Sequence, residues 1–86
     1  MTLRVKDCIG KWVKFTQVEW GQECGYVDRA LVVSPYQIFL NTEDNPRCRP
    51  DSGYKGDDVP EWADYGWHMD DGEYKDLQLI EDMGEW

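Results

Sequence analysis

The feature that most constrains this chain is the alternation of apolar and polar residues between Asp7 and Asn41. That stretch, DCIGKWVKFTQVEWGQECGYVDRALVVSPYQIFLN, is rich in β-branched and aromatic residues and is broken by Gly and Pro. From Lys11 to Thr16, Val13 and Phe15 fall on one face while Lys14 and Thr16 fall on the other, the period of two of a half-buried strand. Val27, Leu31 and Val33 share a face in a second run, and Tyr36, Ile38 and Leu40 share one in a third. Ser34-Pro35 breaks the ladder between them, and Gly21-Gln22 is the expected turn from the first run to the second. No stretch carries apolar residues at helical spacing over three turns, so a mainly all-β chain is expected.

The rest of the chain fits around this three-strand core of residues 7–41. Thr2 to Val5 reads as a short edge strand, with Leu3 and Val5 on one face. Residues 42–60 hold Pro46, Pro50, Pro60, Gly53 and Gly56 and almost no apolar side chain, the composition of a long loop. Beyond it, Ala63, Tyr65, Trp67 and Met69 alternate with Asp64, Gly66, His68 and Asp70. Asp71-Gly72 is a hairpin signal, and Tyr74 to Glu81 would return as the last strand with Leu77 and Leu79 facing the core. Residues 61–81 thus read as a closing hairpin and 82–86 as an acidic tail. At 86 residues there is room for one domain, 1–86.

Five strands with two Gly-containing turns suggest a small antiparallel barrel. IGKWVKFT, then GYVDRALVV and YQIFLN, then a closing hairpin, resembles the SH3-like small β-barrels, and the whole resembles a small early protein of a bacteriophage. The resemblance implies a five-stranded SH3-like barrel with one long loop and a role in interaction. It transfers no catalytic residue.

Charge narrows the function classes further. The net charge of −9 is unevenly spread: residues 1–42 carry five cations against four carboxylates, while residues 43–86 carry Arg47, Arg49, Lys55 and Lys75 against fourteen carboxylates. A half with a net charge of −10 repels phosphate backbones and attracts basic surfaces, so direct nucleic-acid binding is disfavoured. With no apolar run fit for a signal peptide or a membrane span, the expected setting is the cytoplasm, a host's if the protein is viral, with no membrane contact. Cys8, Cys24 and Cys48 are then expected to be free thiols, Cys8 and Cys24 as candidates for the core.

No motif points to catalysis. Cys8, Cys24, Cys48 and His68 have the composition of a zinc site, but every ligand would come from a different segment rather than from close pairs. Glu43-Asp44, Asp57-Asp58 and Asp70-Asp71 lack the alternating oxygen ladder of a calcium loop, which meets Gly53 and Lys55 when started at Asp51. His68 and Asp70 share a strand face, yet no nucleophile stands beside them. No metal, no cofactor and no enzymatic activity are therefore expected.

Three readings remain. The first is a binding or inhibitor protein whose acidic half docks on a basic, nucleic-acid-binding protein, imitating a phosphate backbone. Its partner-binding residues would be Asp70, Asp71, Glu73 and Asp76 for attraction, with Trp62 or Trp86, the tryptophans least committed to the core by alternation, as anchors. The second is a nucleotide or phosphorylated small-molecule sponge built on Arg47, Arg49, Tyr54 and Lys55. The third is a structural or adaptor barrel whose charge serves solubility.

Overall fold

The structure, a computed structural model, describes residues 3–49, 59–68 and 70–80, Asp71 by its backbone alone. Its five strands are β1 (Trp12–Glu19), β2 (Gln22–Ser34), β3 (Gln37–Leu40), β4 (Tyr65–His68) and β5 (Tyr74–Leu79). They form one antiparallel sheet in the order β4-β3-β2-β1-β5. This is an all-β fold compatible with a small barrel, although β4 and β5 lie at opposite edges and leave the sheet open. Among the described residues, no helix is long and apolar enough to cross a membrane.

The core forms where the period-two faces converge. Val13 and Phe15 of β1, Ile38 and Leu40 of β3, and Trp67 of β4 are buried together, as their alternation requires. Phe15 is central: Trp67 stacks on it with ring centroids 6.0 Å apart, and Tyr74 meets it edge-on at 6.0 Å. The Tyr74 hydroxyl also accepts a hydrogen bond from the backbone N–H of Val5 at 3.1 Å, tying the start of the chain to β5. Cys8 is buried in the same core, whereas Cys24 is only half-buried on β2.

Several expectations are corrected. The edge strand expected from Thr2 to Val5 is not formed over its described residues 3–5: Val5–Asp7 makes a single 3-10 turn whose Val5 side chain enters the core. Asp71-Gly72 does not close a hairpin, because β4 pairs with β3 and β5 pairs with β1. Asp71–Glu73 is instead a 3-10 turn, held by the Glu73 carboxylate accepting from the backbone N–H of Asp70 at 2.9 Å. Leu79 is 49% exposed, since it ends an edge strand with no further strand beside it. Within the described part of the 42–60 span, Thr42–Asp44 makes a 3-10 turn, Asn45 and Arg47 bond to β2, and Arg49 is held by Gln17 of β1.

β2 holds the most instructive departure. Two steps along β1, from Val13 to Phe15, correspond to three along β2, from Ala30 to Val27, so β2 carries a bulge at Asp28-Arg29. The extra residue shifts the alternation by one. Val27, Ala30 and Val32 are therefore buried, while Leu31 and Val33, expected on the face of Val27, are only half-buried. A bulge turns backbone groups out of the ladder, and buried ones need other partners. Asn45, 2% exposed, supplies them. Its Oδ1 accepts from the N–H groups of Asp28 and Arg29, each at 2.8 Å, and its Nδ2 donates to the carbonyls of Arg29 at 2.9 Å and Asn41 at 2.8 Å. One side-chain amide thereby uses its whole hydrogen-bonding capacity.

Gln17 makes a second clasp four residues along. Its carboxamide, on a side chain 1% exposed, reaches past its cross-strand partner Gly25. There Oε1 accepts from the N–H of Arg49 at 2.8 Å and Nε2 donates to its carbonyl at 3.1 Å. A Cβ at Gly25 would collide with Gln17 Oε1 and lie 2.9 Å from Arg49 Cγ, so only glycine leaves the opening. Asn45→Ala is expected to strand three backbone groups of β2, the Asn41 carbonyl keeping the N–H of Asp44, and to lower stability by about 3 kcal/mol, read as a shift of the urea midpoint with unchanged slope. Gly25→Ala is expected to loosen the second clasp, at a cost of about 2 kcal/mol in the same measurement.

Candidate functional site: an acidic end with an exposed tryptophan

The pairing of β5 with β1 gathers acidic residues at one end of the sheet. Gln17 faces Tyr74 and Thr16 faces Lys75, so the turn Asp71–Glu73 that precedes Tyr74 lies beside the last residues of β1. Those residues lead into the β1–β2 hairpin, where Glu19 pairs with Gln22 and Val18 with Glu23. Glu19, Glu23, Asp70 and Asp76 are exposed and Glu73 is half-buried, all within reach of this end. Lys75 is bound to one of them through an ion pair to Glu23. That hydrogen bond to Glu23 is the main cause that raises the pKa of Lys75, keeping the ammonium charged.

The tip of the same hairpin is Trp20-Gly21, one residue earlier than the Gly21-Gln22 turn expected from sequence. Both residues have positive φ, 56° at Trp20 and 76° at Gly21, the pattern of a two-residue type I′ turn. Glycine adopts this freely, but for a bulky L residue the left-handed region costs on the order of 1 kcal/mol. Trp20 receives no compensating burial, being 95% exposed. Sequence reasoning passed over it; the available signal was Trp-Gly standing two residues wide between alternating runs, the spacing of a tight hairpin.

The sequence-selected residues divide into separate places. Asp70, Glu73, Asp76 and the backbone of Asp71 belong to the acidic end. Trp62 does not: its ring lies 5.3 Å from that of Trp12, at the opposite end of β1, and it is 36% exposed. The Arg29 guanidinium sits over the other partner, 4.6 Å from the Trp12 ring centre, and Asn41 Nδ2 donates to the Trp62 carbonyl at 2.9 Å. Trp86, Tyr54 and Lys55 lie outside the described residues.

Arg47 and Arg49 belong to a strap, residues 45–49, that bonds to β2 through Asn45 and Arg47 and to Gln17 of β1 through Arg49. Arg47 pairs with Asp28, its guanidinium 4.4 Å above the Tyr26 ring, and its carbonyl accepts from the N–H of Tyr26 at 3.0 Å. Arg49 is the residue whose backbone Gln17 grips. His68 is exposed on β4 opposite Gln37, whereas Cys8 is buried outside the strands. Among the described residues, no three His, Cys, Asp or Glu side chains converge as a metal ion requires. Compared with known proteins, the chain matches no family model, no curated protein and no solved structure.

Cys48 lies in the strap and is half-buried. Burial, reinforced by the charges of Asp28 and Asp64, pushes its thiol up to about 11 from an ordinary 9.0. Between these two values the unfolded chain loses the proton and the folded chain keeps it, so stability is full below pH 9 and falls as pH rises toward 11. Cys8 is shifted the same way, chiefly by burial. Cys48→Ala is expected to flatten part of the fall, seen as a smaller difference between denaturant midpoints at pH 8.5 and pH 10.5, roughly 1–2 kcal/mol less than in the parent chain.

Proposed function

We propose that the protein is a non-enzymatic binding or inhibitor protein that docks its acidic end on the basic, nucleic-acid-binding surface of another protein. The observation that carries this reading is the gathering of Glu19, Glu23, Asp70, Glu73 and Asp76 at one end of a small sheet. Carboxylates held at such density present a field like that of a phosphate backbone, which a Lys- and Arg-lined groove is built to receive. The five-stranded antiparallel order, with β1 flanked by β2 and the last strand, supports the finer reading of an SH3-like barrel used as a scaffold for interaction. On this reading the protein works in the cytoplasm, in the manner of a phage-encoded inhibitor acting on a host factor.

Affinity capture from a bacterial lysate at low salt, followed by binding of the purified partner, tests the proposal. A basic nucleic-acid-binding protein that nucleic acid displaces is the expected partner; capture of no such protein would overturn the reading. Glu19→Lys combined with Asp70→Lys is expected to slow association about tenfold at low salt. The effect should shrink above about 0.15 M, where the screening length falls below roughly 8 Å. Equal slowing at low and high salt would rule out electrostatic steering as the role of this end.

A further inference from the structure

Neither packing nor backbone preference accounts for Trp20. Its turn calls for Asn, Asp or Gly at that position, and a tryptophan there must hold a φ of 56°. Its ring makes no use of the core, with 95% of the residue exposed to water. A lone exposed apolar side chain is ordinary on a protein surface, but one held at positive φ costs free energy with no burial to offset it, and such strain tends to be kept where a site uses it. Tryptophan is also the residue most enriched among the few that carry binding energy in protein interfaces.

The surroundings of the ring identify what it fits. Glu19 precedes the turn and Glu23, ion-paired with Lys75, follows it by two residues, both exposed, while Asp70 and Glu73 lie at the turn that leads into β5 and Asp76 on β5 itself. A ring so edged by carboxylates is repelled by an anionic bilayer and by nucleic acid. It is complementary to an apolar slot whose rim carries ammonium or guanidinium groups. The type I′ hairpin fixes the backbone that carries the ring at the tip, so little backbone ordering is left to be done on contact.

We propose that Trp20 is the anchor of the docking surface, inserting into an apolar slot rimmed by Lys or Arg on a protein partner while the surrounding carboxylates guide the approach. The inference rests on the acidic-docking reading above and adds to it the residue that sets the lifetime of the complex. Trp62, committed to Trp12, has the lesser part.

Two synthetic peptides of equal charge serve as probes: an amphipathic Lys/Leu helix, which offers an apolar stripe edged by ammonium groups, and an all-Lys chain without one. Vesicles of neutral phosphatidylcholine form a third arm. Trp20→Asn should fold at least as well as the parent chain by thermal melting, because Asn suits the turn. It should bind the Lys/Leu peptide at least tenfold more weakly, through faster dissociation, and the all-Lys peptide unchanged. Trp62→Ala should alter the first affinity less than threefold, and the parent chain should show a blue shift of tryptophan emission that Trp20→Asn lacks. If both peptides bind the parent chain and Trp20→Asn changes neither, the anchor is overturned while acidic docking stands. If neither peptide binds at low salt, the docking reading falls and the anchor with it. Binding to the neutral vesicles through Trp20, with no preference between the peptides, would replace the protein slot with a lipid surface and likewise overturn the proposal.

Discussion

The architecture depends on one side-chain amide. Without Asn45, the bulge at Asp28-Arg29 would leave two N–H groups and a carbonyl of β2 unsatisfied in a part-buried setting, and a bulge that cannot be satisfied does not persist. With Asn45 in place, β2 can change the face it buries midway along its thirteen residues. Its first part then lies against β1 and its last part against β3, with buried side chains supplied to one core throughout. Gln17 and Gly25 extend the same principle. A buried carboxamide takes the place of a neighbouring strand, gripping the backbone of Arg49 where no regular ladder is available.

What could be read in the sequence follows from how local each determinant is. Val13 with Phe15, Ile38 with Leu40, and Ala63 with Trp67 declared their buried faces through alternation alone, because pleat geometry acts between residues two apart. Leu31 and Val33 misled, since the residue that resets their phase is Asn45, more than ten positions away and inside a stretch with the composition of a loop. Gln17 follows Val13 and Phe15 on the buried face, but that its partner there is the backbone of Arg49 is a long-range fact that alternation does not carry. Asp71-Gly72 has the chemistry of a hairpin turn, yet edge choice is a tertiary matter, settled by β1 offering its free side to β5.

The same distinction governs the candidate site. The surplus of carboxylates was plain from composition, but composition cannot say that Glu19 and Glu23 would join Asp70, Glu73 and Asp76. That requires the β1–β5 register, fixed by residues about sixty positions apart. Trp62 and Trp20 were equally visible as tryptophans. The difference between them is structural: the first has Trp12 and the backbone around Asn41 to rest on, and the second stands beyond the end of the sheet.

The place of β5 has a consequence for how the protein comes into being. β1 is synthesised well before β5, yet its second edge is filled only by Tyr74–Leu79, and Val13 finds Leu79 across nearly the whole described chain. Closing so long a loop is entropically costly and favours slow, late folding over quick local assembly. Until that strand emerges from the ribosome, β1 presents an unpaired row of backbone donors and acceptors, open to mispairing with other nascent chains. The acidic end is assembled by the same late step, so it and the finished fold arrive together.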